Sequence, residues 1–363
     1  NTSRRGKPAL SAVIQPAASE PGFVDVVHVA PGFAAALEHG PAGGTLHLID
    51  VRNPTQPRVL ESQPTDAITL AAPDAGGMLL AAHGHEMIRF STSANRLAYP
   101  TAYTAPQSIT AVHQRVGRAL IACEKSGGTG AALVLLDTQD PTAPRELAVL
   151  TMPEHTRGIV NVIDQGSEFF AAAGSAGLIH GYLPVGETPT ITGTYAPQSP
   201  GNSSAEPVQI FAGGTYWTID SAGMLIWTRG DATGTWWSGA AASALATVDD
   251  HLLVGRVDGS LLKVQPGETP EIVAERGDLG GAVTAISVSM DDQIAVSAGS
   301  LWRLEPETLD TLWRSEPPGS ARDIAWIDNG IAAACGVCGV RIYDAETGTL
   351  RGTWREDFAA KVY

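Results

Sequence analysis

A strand-and-turn pattern returns about every 42 residues along this chain, and it limits what the chain can fold into. The first clear copy reads FAAALEHGPAGGTLHLID and closes at Asp50, and equivalent strand ends fall near Ser91, Asp137, Tyr182, Thr228, Gln265, Glu305 and Asp344. Each copy holds an alternating apolar stretch, a short turn, and a second stretch of small and apolar residues. A Gly-rich turn, a third apolar stretch and an Asp/Pro/Thr/Gly turn into a fourth stretch complete it. In the last copy the four stretches begin at Asp323, Ile331, Val340 and Leu350.

A lone four-stranded sheet cannot bury both of its faces, so the copies must stack, and closing them into a ring leaves only short, protected edges. The expectation is therefore an all-β, single-domain β-propeller of eight four-stranded blades occupying residues 22–363. Seven blades is the alternative, if the weakest repeat, near Ser108 to Leu136, merges with a neighbour. The 40 Gly and 24 Pro, with 17% charged residues, suit an all-β chain rather than a helical or disordered one. Residues 1–21 read as a Ser/Ala/Pro-rich leader with Arg4, Arg5 and Lys7. Within it PALSAVIQ has strand character and either closes the ring as an outer strand or stays a plain leader. Asn1 reads either as a mature N-terminus left by removal of a signal or anchor, or as a trimmed start.

Two kinds of repeat are visible. GTLHLIDVRNPTQPRVL and AALVLLDTQDPTAPRELAVL share a D-x-x-x-P-x-x-P-R signature and resemble the LVIVD type of bacterial surface propeller repeat. GSLLKVQPGETPEIV, GSLWRLEPETLDTLW and GVRIYDAETGTLRGTW resemble quinoprotein-type or YVTN-type (WD40-like) repeats, whose outer strand carries a Trp; Trp313 and Trp354 stand at that position. The resemblance runs from Val24 to Trp354 and implies architecture, because this fold hosts enzymes, scaffolds and accessories alike.

A formal net charge of -15, with only 23 Lys and Arg spread thinly, speaks against a nucleic-acid partner. Nothing approaches 18 consecutive apolar residues, so no transmembrane segment is expected, although association with a membrane complex stays open. There is no G-x-S-x-G elbow, no H-E-x-x-H pair and no G-x-x-x-x-G-K-[ST] loop. A propeller hydrolase or lactonase would hold a divalent cation in its channel, for which Asp25, Asp66, Asn161, Glu206 and Asp323 stand near the starts of inner strands.

Aligning the turns between second and third strands brings Glu38-His39, His83-Gly84-His85-Glu86, Cys123-Glu124 and Cys335-x-x-Cys338 to equivalent places. The links from each outer strand to the next inner strand lie on the same face of a propeller and add Asp66, His155, Arg157, Glu206, Arg322 and Asp323. Imidazole, thiolate and carboxylate together suit zinc or copper more than calcium, so His39, His83, His85, Glu86, Cys335 and Cys338 are the candidate metal ligands. Glu38, Asp66, Glu124, His155, Arg157, Glu206, Arg322 and Asp323 are the candidate partner-face residues. The competing reading makes all of these polar turn residues on a solvated rim.

Cys335-Gly336-Val337-Cys338 straddles a turn between strands rather than a helix N-terminus. A local disulfide or plain turn cysteines therefore compete with metal contact, ahead of redox catalysis. A disulfide would place the chain in an oxidising compartment. His28 and His113 occupy matching inner-strand positions and read as structural, while His47, His180 and His251 read as packing or surface residues. Of the pairs Tyr216-Trp217 and Trp236-Trp237, strand alternation expects one member buried between blades; aromatics left outside could anchor a partner.

The leading functional expectation is a non-enzymatic extracytoplasmic binding or scaffold protein, periplasmic, cell-surface or secreted, that holds a protein partner on one face of the disc. The first alternative is a metal-binding protein similar to propeller-type periplasmic zinc metallochaperones, although those carry several entrance histidines where this chain has only His155 and lacks a His-rich tract. The second alternative is the metal-dependent hydrolase.

Overall fold

The computed structural model describes residues 22–354 apart from 41–42, 66–68, 72–77, 84, 92–100, 116, 125–129, 141–143, 154–158, 165–167, 174–177, 185–188, 196–204, 213–214, 221, 230–231, 316–320 and 329. The described residues form eight antiparallel four-stranded sheets, each made of strands consecutive in sequence.

The first sheet holds β1 (Gly22–Ala30), β2 (Phe33–Gly40), β3 (Gly43–Asp50) and β4 (Arg58–Thr65). The second holds β5 (Thr69–Ala71), β6 (Met78–His83), β7 (Glu86–Ser91) and β8 (Thr101–Thr104). The third holds β9 (Ser108–Arg115), β10 (Arg118–Glu124), β11 (Ala131–Asp137) and β12 (Arg145–Thr151). The fourth holds β13 (Ile159–Asp164), β14 (Glu168–Ala173), β15 (Leu178–Tyr182) and β16 (Thr190–Tyr195). The fifth holds β17 (Ala205–Ala212), β18 (Thr215–Asp220), β19 (Leu225–Arg229) and β20 (Ala232–Trp236). The sixth holds β21 (Ala242–Val248), β22 (His251–Arg256), β23 (Leu261–Gln265) and β24 (Glu271–Arg276). The seventh holds β25 (Ala285–Val288), β26 (Ile294–Ala298), β27 (Ser300–Leu304) and β28 (Thr311–Ser315). The eighth holds β29 (Asp323–Ile327), β30 (Gly330–Ala334), β31 (Val340–Asp344) and β32 (Leu350–Trp354).

The repeat near Ser108 to Leu136 does not merge with a neighbour, because β9 to β12 make a full sheet of their own. Each innermost strand touches the next around the ring, from β1 through β5, β9, β13, β17, β21, β25 and β29 back to β1. The expected closing strand from PALSAVIQ lies outside the described residues.

Inner strands are buried on both sides, as in β22 and β30, because each sheet is covered by a neighbour on either face. Ala runs such as Ala34 to Ala36 and Ala332 to Ala334 suit this narrow inner wedge. Outer strands such as β12 and β24 reach solvent and return to alternating polar and apolar positions.

The repeat period reappears as bonds between neighbouring sheets. Lys263 Nζ donates to Pro306 O at 2.9 Å, Arg303 Nη1 to Ala345 O at 2.8 Å, and Ser243 Oγ to Val283 O at 2.7 Å, each joining residues one repeat apart.

The D-x-x-x-P-x-x-P-R signature has a physical reason. The Asp that ends the third strand accepts hydrogen bonds from the following turn and from an Arg at the start of the fourth strand. Asp50 takes Arg52 N at 3.0 Å, Arg52 Nη2 at 2.6 Å and Arg58 Nη2 at 3.4 Å; Asp137 takes Gln139 N at 2.9 Å and Arg145 Nη2 at 3.0 Å. In later repeats Glu305 and Asp344 do the same for Thr308 and Thr347. The Arg52 guanidinium beside Asp50 holds its carboxyl down at about 2.

Candidate functional site

The aligned hairpin residues share one face. Glu38 and His39 end β2, His83 ends β6 with His85 just beyond it, Glu86 opens β7, Glu124 ends β10, and Cys335 to Cys338 join β30 to β31. Arg322 immediately precedes β29 and Asp323 opens it on that same face. Glu206 sits inside β17 rather than in a link. Asp66, His155 and Arg157 lie outside the described residues, as do the side chains of His83, Glu86 and Glu206.

Among the described residues no three His, Cys, Asp or Glu side chains converge closely enough to hold a metal ion. His85 is exposed and its Nδ1 lies 3.4 Å from Ala105 O, so the imidazole leans on its own sheet.

The seam where the first and eighth sheets meet runs from this face through to the opposite one. Phe23 N donates to Gly336 O at 3.3 Å, Val26 N to Asp323 Oδ2 at 2.9 Å, and Gly32 N to Asp328 Oδ2 at 2.6 Å. Gly22 takes a φ of 124° and packs so tightly that a Cβ there would lie 2.5 Å from the Gly336 carbonyl carbon. Phe23, Val26, Ala34 and Ile49 of the first sheet share one apolar cluster with Ile327, Ala332, Val340 and Ile342 of the eighth.

Two candidate partner-face residues turn inward here. Glu38 is only 5% exposed, because its Oε2 meets His47 Nε2 at 3.1 Å. His47 Nδ1 meets Ser62 Oγ at 2.8 Å, and its fully buried ring packs against Trp354 and Phe23. A buried Glu must find a partner, and the register supplies one: His47 pairs directly with Ser62 and stands diagonally across from Glu38. Sequence reading missed this line across three strands, since its signal was the register and no contiguous motif carries it.

Asp323 is the second inward residue. It is buried against Asp25, and burial together with that neighbouring carboxyl pushes its own carboxyl well above the ordinary range. Asp25 and Asp323 therefore do meet, as a close carboxyl pair whose mutual repulsion and burial favour the neutral form of Asp323. His28 lies 4.0 Å from Asp328, and burial holds its imidazole below the usual value.

Both hairpin cysteines are free thiols. Cys335 N donates to Gly339 O at 2.9 Å and Cys338 N to Cys335 O at 3.0 Å, which closes a tight turn. Burial pushes the Cys335 thiol up to about 12, so at neutral pH it is not the thiolate that redox catalysis would need. Cys123 is likewise buried and pushed up to about 12.

The pair Trp236-Trp237 follows the expectation, with Trp236 packed against the core, whereas Tyr216-Trp217 departs from it. Tyr216 and Trp217 are both buried, because β18 is covered on both faces by neighbouring sheets and alternation no longer separates inside from outside. Trp237, by contrast, is 49% exposed in the link between β20 and β21. Beneath it Arg256 Nη1 donates to Ser238 O, and Val257 N donates to Ala241 O at 2.9 Å, so the link is tied to the neighbouring hairpin. Val257 in that hairpin and Val337 in the Cys335–Cys338 turn are exposed on the same face.

No family model matches the sequence, and no curated protein matches it. Solved structures do share its form. The computationally designed Ika8 protein is 12% identical and covers 92% of this chain and 100% of its own, with a TM-score of 0.67. Sqt1 of Saccharomyces cerevisiae is 9% identical over 96% of this chain and 87% of its own, with a TM-score of 0.54. The WD40 β-propeller domain of Doa1 is 13% identical over 92% of this chain and 96% of its own, with a TM-score of 0.52. At these identities the likeness is one of fold, and with the ring of sheets it shows that the chain folds as a β-propeller.

Proposed function

We propose that this propeller is a non-enzymatic scaffold that holds a protein partner on the face carrying the second-to-third-strand hairpins. The observation that carries the reading is Trp237: a large aromatic half in solvent, on a link that Arg256 and Val257 N fasten to the hairpin carrying exposed Val257. A rigidly mounted, exposed Trp with an apolar neighbour has the make-up of an interface hot spot. The net charge of -15 favours a partner with a basic surface. The fold's WD40-like neighbours support a binding role by analogy. The likeness of the first and third repeats to a bacterial surface type supports an extracytoplasmic location.

A photo-crosslinking residue placed at Trp237 tests the reading, with Met290, 87% exposed on the opposite face, as the control. Protein adducts formed from position 237 and not from 290, and lost when Val257→Glu is added, are expected. Equal labelling from both positions would overturn it.

The zinc or copper reading has one observation in its favour, the paired thiols of the Cys335–Cys338 turn. The hydrolase reading would need several carboxylates around one ion, and among the described residues Asp25 and Asp323 meet without a third His, Cys, Asp or Glu side chain to complete such a group.

A further inference from the structure

We propose that Cys335 and Cys338 form a two-thiolate site for copper(I) at the tip of the eighth sheet. Geometry comes first. The turn closed by Cys338 N on Cys335 O and by Gly339 N on Gly336 O at 3.1 Å brings residues 335 and 338 together, with Gly336 and Gly339 at φ 55° and 85° permitting the coil. Both side chains enter one cluster: Cys335 is buried among Ile324, Ala333 and Tyr343, and Cys338 packs against that same group.

Beside the two thiols Tyr343, only 1% exposed, has its hydroxyl hydrogen-bonded to Arg341. The Cys335 thiol itself has only a long contact to Ala333 O at 3.7 Å.

Charge and coordination number select the ion. Two thiols bind copper(I) by losing two protons to solvent and forming two S–Cu bonds; the metal's oxidation state does not change. The product carries one negative charge, and Arg341 lies close enough to Cys335 to stabilise it electrostatically. Arg322 stands on the other side of the turn, where a Cβ on Gly336 would lie 3.6 Å from its Nε. Copper(I) is soft and is content with two sulfur ligands, whereas structural zinc requires four donors that the described residues do not bring together. The Asp and His groups that would favour a harder ion are engaged elsewhere: Asp323 with Val26 and Asp25, and His47 with Glu38 and Ser62.

The test is an anaerobic competition between the reduced full chain and the coloured copper(I)–bicinchoninate complex, followed by absorbance. One equivalent of copper(I) should pass to the protein. Cys338→Ser, at a half-buried turn position, should lower affinity at least a hundredfold, and Cys335→Ala should do the same. Cys123→Ser should leave the transfer unchanged. Circular dichroism of each variant guards against loss of fold, and X-ray absorption on the wild-type complex should show two sulfur neighbours. No transfer to the wild-type chain, transfer that survives Cys338→Ser in a folded protein, or a copper shell of nitrogen and oxygen would overturn the assignment. These readouts do not depend on the partner-binding reading, whose probe at Trp237 lies on the fifth-to-sixth-sheet link.

Discussion

The backbone N–H of Val26 donates to Asp323 Oδ2 at 2.9 Å, joining residues 297 positions apart in the chain. With Asp25 alongside, this bond ties the ring shut through a carboxyl that burial and the neighbouring carboxyl push well above the ordinary range.

The pH dependence follows in sign. A carboxyl whose folded pKa is raised binds more protons in the native than in the unfolded state, so its contribution is whole below the ordinary Asp pKa and declines as pH rises through the folded value. Thermal stability should therefore fall from mildly acidic toward alkaline pH. Asp323→Asn, which keeps an acceptor for Val26 and never ionises, should flatten that decline and raise Tm at pH 8. Parallel melting curves for the two proteins across pH 5 to 9 check this, and an identical slope would sink it.

Asp50 behaves in the opposite sense. Its carboxyl is held at about 2 by Arg52, so its contribution is whole at neutral pH and is lost only as pH falls through that value. Asp50→Asn should cost about 1 kcal/mol at pH 7, a modest amount because Arg52 and Arg58 are largely solvated, and the penalty should vanish near pH 2. Denaturant unfolding at the two pH values measures both.

Removing one end of the buried Glu38–His47 contact should be worse than removing both. His47→Leu leaves Glu38 desolvated without a partner and should cost about 3 kcal/mol, while the double variant with Glu38→Leu should recover at least half of it. A double-mutant cycle by urea unfolding gives the coupling, and simple additivity would contradict the geometry.

Two glycines make a controlled pair. Gly22→Ala forces a Cβ to 2.5 Å from Gly336 at a positive φ and should cost about 2 kcal/mol, whereas Gly277, with nothing within 4 Å, should accept Ala within about 0.5 kcal/mol. Differential scanning calorimetry on both variants distinguishes the two cases.

Much of the architecture was legible because strand alternation and turn chemistry are local. The third strand of each repeat ends within one residue of its sequence-read position, from Asp50 through Asp137 to Asp344. The Asp…Arg pairing inside the Pro-rich turn was visible as a signature before its hydrogen bonds gave it a cause. What local pattern could not carry was direction across strands. Glu38 reads as a rim residue beside His39, yet register sends it to His47; Asp323 reads as an exposed link residue, yet ring closure buries it against Val26. Tyr216 and Trp217 broke the alternation rule for the same reason, since burial on both faces of a sheet is set by its neighbours.

Every sheet of this ring is drawn from one uninterrupted stretch of chain, and the first and eighth meet through side-chain and backbone bonds with no strand exchanged among the described residues. Such a ring has no privileged opening: its order of assembly is encoded in the links, while its closure is encoded in one face-to-face contact. Joining Trp354 to Gly22 and cutting instead at the link before Ala242 would shift the free ends to another seam and leave every sheet intact.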